Sequence, residues 1–169
     1  MFYIHDAQHE VVYVIAVWGA GNAANSVVRA RRFELMDEDG NARGLLTVNA
    51  AGASLALFDS TGKAGAMLGV DQQGSPGLNL FDEKGTSRAK LAVAANGTPG
   101  LAMVDDAQKV RVLLTVDGKG PGLGLYDAAG KPRATLAITA AGSPGLGLAD
   151  AEGKLCAVFA LDAKGKRLP

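Results

Sequence analysis

The 169-residue chain carries 17 basic and 17 acidic side chains, so its formal net charge is zero. That balance argues against a nucleic-acid partner, whose phosphates call for a basic excess, and it weakens repulsion between copies. Aromatics make up 5% of residues and glycine numbers 23, so the 48% hydrophobic content is mostly Ala, Leu and Val; the lone cysteine, Cys156, excludes an intrachain disulfide and a Cys-based zinc site.

In chain order, the first candidate element is the apolar run Val11, Val12, Tyr13, Val14, Ile15, Ala16, Val17 and Trp18. Eight residues are too few to span a bilayer, which needs about 20. The residues before the run, His5, Asp6, His9 and Glu10, lack the basic character of an export signal. Both points argue against membrane attachment. The run is expected to cap the rest of the chain, as strand or helix, or to enter a neighbouring subunit, because an exposed apolar segment invites aggregation. Residues 1–32 form this N-terminal segment, and 33–169 form a repeat domain.

The repeat is marked by Asp37, Asp59, Asp82, Asp105, Asp127 and Asp150, spaced 22 or 23 residues apart. Before each lies a short alternating stretch such as LALFD (55–59) or LGLYD (123–127), the pattern of a β-strand with one buried face. Next comes Asp-x-x-Gly, as in Asp59-Ser-Thr-Gly62, where Asp accepts a backbone hydrogen bond two residues on and Gly closes a type I turn with a bulge. Gln108 stands where the fourth unit should have this Gly, which predicts a strained or differently shaped turn. A second strand follows, such as RAKLAV (88–93), and then a second turn on Gly52, Gly74, Gly97, Gly120, Gly142 or Gly165. The expected fold is all-β: six tandem antiparallel β-hairpins, about twelve short strands, forming a solenoid or a trimeric β-prism. A twelve-stranded barrel would enclose a lumen that these small side chains cannot fill.

The Leu/Val face is expected to be the core. The other face combines small residues with a larger one before each Asp, notably Phe58, Phe81 and Tyr126, and Arg43, Arg88, Arg111 and Arg133 begin the second strands. Gly and Ala within strands suggest close approach of another backbone. The arginines are expected to lie over the sheet and pair with turn carboxylates. Their alternative role, with Phe58, Phe81 and Tyr126, is contact with a partner or an anionic glycan.

Candidate chemistry is sparse. His5 and His9 have helical i, i+4 spacing but lack a matched third ligand. Gly19-Ala-Gly21-Asn-Ala-Ala24 imitates a dinucleotide fingerprint without its βαβ frame. Asp37-Glu-Asp-Gly-Asn41 is rich in oxygen ligands, but turn chemistry accounts for it without calcium. The repeats contain no histidine, which argues against Ser-His-Asp or Cys-His catalysis. No catalytic residue, cofactor or metal is expected.

The unit intact at Gly77–Pro99, GLNLFDEKGTSRAKLAVAANGTP, resembles tandem hairpin repeats in uncharacterised prokaryotic proteins, which often place an apolar or helical segment before an Arg29–Leu35-like strand. The resemblance covers about four-fifths of the chain; it implies a β-repeat architecture and carries no activity with it. The functional expectation is a self-assembling structural protein: a homo-oligomeric fibre, filament or trimeric rod subunit at the cell surface. The alternative is an adhesin or carbohydrate-binding β-repeat.

Overall fold

The computed structural model describes residues 30–162 and 164–167, together with the backbone of 4–5 and 11–13. Strands β1 (Ile4–His5) and β2 (Val11–Tyr13) pair antiparallel as a two-stranded sheet. Val11, Val12 and Tyr13 thus lie on a strand, whereas Val14, Ile15, Val17 and Trp18 fall outside the described residues, as does His9.

The repeats form one twelve-stranded antiparallel sheet. Its strands are β3 (Arg32–Met36), β4 (Ala42–Asn49), β5 (Gly52–Phe58), β6 (Ala64–Asp71), β7 (Pro76–Phe81) and β8 (Ser87–Val93). They continue as β9 (Pro99–Val104), β10 (Val110–Asp117), β11 (Gly120–Tyr126), β12 (Pro132–Ile138), β13 (Pro144–Ala149) and β14 (Leu155–Ala160). Each strand pairs only with its sequence neighbours, so the sheet is an open meander with β3 and β14 at its edges. The expected all-β hairpin repeat is present, and no helix occurs among the described residues.

One hairpin loop recurs at both rims. In Asp59–Lys63, the Asp59 N–H donates to the Lys63 carbonyl (2.8 Å) and the Gly62 N–H to the Asp59 carbonyl (3.1 Å). Asp59 Oδ1 accepts from the N–H groups of Thr61 (2.8 Å) and Lys63 (3.0 Å). Gly62 has φ +81°, the left-handed conformation this loop requires. The fourth unit builds the same loop on Gln108, at φ 61° the single positive-φ non-glycine residue among those described. Its hydrogen bonds match the others, with Gln108 N–H to the Asp105 carbonyl at 3.0 Å. Of the two expectations for this turn, strain holds and a different shape does not.

The unequal repeat spacing has a local cause. At two second turns, Asn49 pairs directly with Gly52 and Asp117 with Gly120, across two-residue loops. These turns lie within the two 22-residue intervals, Asp37 to Asp59 and Asp105 to Asp127. The 23-residue intervals contain the longer loop, as in Asp71–Ser75. The extra residue is absorbed at the rim, and strand register is unaffected.

Register aligns the side chains into rows that run across the whole sheet. The central row reads Phe33, Leu46, Leu55, Leu68, Leu78, Leu91, Leu101, Leu114, Leu123, Leu136, Leu146 and Phe159. Two further apolar rows flank it on the same face. Apart from Arg167, whose guanidinium lies over the Phe159 ring (5.6 Å) at the β14 end, nothing in the described part of one chain covers this face: Leu68 and Leu91 are each 53% exposed and Leu136 52%. The expected core is therefore laid out as surface in the single chain. The one buried hydrophobic side chain described, Ala56 at 4% exposure, is on the opposite face.

Candidate assembly face

The leucine face is about 50 Å long, from eleven inter-strand steps of about 4.8 Å, and about 14 Å between its outer rows, four residues apart along each strand. The row nearer the Asp turns runs Leu35, Gly44, Leu57, Ala66, Leu80, Ala89, Met103, Val112, Leu125, Ala134, Leu148 and Ala157. The row nearer the other rim includes Val48, Ala53, Val70, Pro76, Val93, Pro99, Val116, Pro121, Ile138, Pro144 and Leu161. From β4 to β14 these three rows contain no charged or polar side chain, and at the β3 end Arg31 stands opposite Val48. An uninterrupted apolar surface of this size, on the order of 800 Å², exceeds the largest patch of a typical soluble monomer. Among described residues, no helix is long and apolar enough to cross a membrane.

The opposite face has a row of small side chains, including Ser54, Gly69, Gly77, Ala92, Gly100, Thr115 and Gly122. An open trough of about 700 Å³ runs along it, lined among others by Ser54, Asn79, Lys90 and Thr115. Phe58, Phe81 and Tyr126 are half-buried at the Asp-turn ends of β5, β7 and β11, and none of them lines this trough. Tyr126 lies back over its own strand, where a side chain added at Gly124 would come within 2.8 Å of the ring. Gly44 likewise sits under the Leu35 side chain, 2.9 Å from where its Cβ would be. These two glycines therefore make room for side chains of their own sheet, Gly124 on this face and Gly44 on the leucine face.

The four arginines occupy the extra position of a β-bulge. Leu125 pairs with Ala134 and Tyr126 with Pro132, which leaves Arg133 unpaired in the ladder. Arg43, Arg88 and Arg111 sit in the same position of their hairpins, Gly65 and Cys156 in the remaining two. From the bulge the guanidinium reaches in two directions. Arg111 pairs with Asp105 of its own turn (3.1 Å) and donates from Nε to the Tyr126 carbonyl of the next repeat (2.8 Å). Arg133 pairs with Asp127 (3.6 Å) and donates to the Ala149 carbonyl (3.0 Å). Arg43 pairs with Asp37 (2.6 Å) and contacts the Asp59 carbonyl, while Arg88 pairs with Asp82 (3.6 Å) and contacts Asp106. Each arginine is a rivet between successive hairpins.

Two lysines act similarly and were not singled out from the sequence. Lys63 Nζ donates to the Glu83 carbonyl (2.8 Å) and Lys131 Nζ to the Ala151 carbonyl (2.9 Å), each crossing to the following Asp turn. The available signal was their common place one residue after the turn glycine. The turn carboxylates are held below the usual range of aspartate. The first cause is the backbone N–H donated by Asn41 for Asp37, Thr86 for Asp82, Lys109 for Asp105, Lys131 for Asp127 and Lys154 for Asp150. For Asp59 it is the Thr61 hydroxyl. Asp37 to Asn41 is organised by these internal bonds, with Asp37 Oδ1 accepting from the N–H groups of Asp39 (3.1 Å) and Asn41 (2.8 Å).

Compared with protein-family models and with curated proteins, the chain matches none.

Proposed function

We propose that this chain is a self-assembling structural protein, the subunit of a trimeric rod whose leucine faces meet around a common axis, at or outside the cell surface. The observation that carries this reading is the leucine face: three rows of apolar side chains across β4 to β14, with only Arg167 at one end of the described chain to cover them. Burying on the order of 800 Å² at about 25 cal/mol per Å² supplies roughly 20 kcal/mol per copy. That exceeds the cost of about 4–15 kcal/mol for lost rigid-body freedom on association. A prism fits better than a solenoid, because an open meander keeps its apolar rows on one side and leaves them for other chains. A triangle with strands about 20 Å long as sides has an inradius near 6 Å, close to half the usual spacing of packed sheets of about 10 Å. Val11–Trp18 belongs to the same reading as a capping or exchanged element.

Analytical ultracentrifugation with negative-stain microscopy tests the proposal. The expected result is a trimeric rod, reduced to monomer by Leu91→Asp with Leu114→Asp; a wild-type chain that stays monomeric at all concentrations overturns it. Removing residues 1–20 abolishes assembly if the segment is exchanged between subunits and spares it if the segment caps its own chain.

A second reading, a carbohydrate-binding repeat, is favoured by the trough with Asn79, Lys90 and Thr115 in its lining. The arginines contribute less to it, because their guanidinium groups are engaged by carboxylates of their own chain. A glycan array without signal for neutral and anionic sugars would remove this reading.

A further inference from the structure

The outer rows of the leucine face carry their bulk on alternate strands. In the row near the Asp turns, Leu57 of β5 and Leu80 of β7 alternate with Ala66 of β6 and Ala89 of β8. In the row near the other rim the order is reversed: Ala53 and Pro76 are on β5 and β7, Val70 and Val93 on β6 and β8. The antiphase runs from β4 to β14, broken only at β10, where Val112 and Val116 are equally branched. Each of these strands except β10 therefore brings a leucine or phenylalanine at the centre, a larger residue at one side and a smaller one (Ala, Gly or Pro) at the other.

We infer, resting on the self-assembly reading above, that the copies stand parallel and in strand-for-strand register around an axis along the leucine row. Each row near the Asp turns then closes against the opposite-rim row of the next copy. In that arrangement the β5 layer sets Leu57 beside Ala53 of a neighbouring copy, and the β8 layer sets Ala89 beside Val93. A larger residue meets a smaller one at every layer from β4 to β14 except β10, the complementarity that close-packed interfaces require. The alternative is an antiparallel pair, in which each outer row faces itself. Such a pair needs alternation within a row but is indifferent to the phase between rows. The antiphase is required where copies stand parallel and in register, and not by the antiparallel pair.

The test is thiol cross-linking of the full chain in a Cys156→Ser background with a short bismaleimide, after sedimentation has given the oligomer mass. Ala89→Cys with Val93→Cys should convert most of the protein to a covalent trimer, since both positions share a layer. Leu57→Cys with Ala134→Cys, which would meet only in a centred antiparallel pair, should yield no covalent oligomer. The reverse pattern, or no links from either pair in a chain of oligomeric mass, overturns the parallel register and leaves self-assembly standing. A monomer by sedimentation overturns both.

Discussion

At the scale of single residues, the bulge position makes sense of side chains that otherwise look scattered. An arginine there touches its own turn carboxylate and the backbone of the next hairpin, so Arg111→Ala should cost roughly 0.5–1 kcal/mol in chemical denaturation, as expected of a partly exposed pair. Lysine is a poor substitute because it lacks the fork that makes both contacts at once. The last unit has Cys156 in this place, on β14 at the edge of the described sheet. Gln108→Gly relieves a left-handed residue and should stabilise the protein by about 1 kcal/mol, the left-handed cost less the entropy of glycine. The six turn aspartates have folded-state pKa values below the unfolded value of about 3.9. Their stabilisation is complete above that value and is lost as pH falls through the depressed folded values. Melting temperature should therefore hold on acidification to about pH 4 and fall below it. Asp82→Asn should flatten that fall.

At the scale of elements, the strands and their faces are legible because alternation is strict: LALFD and RAKLAV each place apolar residues on one side. Turn chemistry is legible for the same reason, since Asp and Gly recur at fixed offsets. The bulges are not legible. An extra residue in the second strand leaves no mark on composition, so an arginine there reads as an ordinary strand residue. The two turn lengths are visible only as an uneven period, whose cause requires the pairing of Asn49 with Gly52. Gly52 has φ +120°, and a Cβ there would stand 2.0 Å from the Val70 carbonyl oxygen. Gly52→Ala should therefore destabilise by about 3 kcal/mol or more, whereas Gly62→Ala, with open space around it, should cost about 1–2 kcal/mol of backbone strain alone. Equilibrium unfolding of the two variants side by side separates these costs.

At the scale of the whole molecule, each hairpin contacts only its neighbours, as in other quasi-one-dimensional repeats. Excision of residues 60–82 removes one unit and joins Asp59 to Glu83, which recreates a turn already used by the chain. The shortened protein should keep its β-sheet circular-dichroism signal, and small-angle scattering should show a rod shorter by about 10 Å, two strand spacings. Loss of a single residue within a strand would instead exchange the two faces beyond it. The leucine face is foreseeable from the sequence; its openness is not. Alternation tells which side wants burial but not whether the cover comes from the same chain, and here the meander turns that side outward.

The uneven period also bears on where the molecule accepts foreign material. Because the rim at Asn49–Gly52 and Asp71–Ser75 already tolerates loops of two lengths with identical strand pairing, a guest peptide spliced between Ala50 and Ala51 should leave the ladder undisturbed. A chain of this design could thus serve as a scaffold on which grafted epitopes stand in rank along one margin, spaced by the hairpins beneath them.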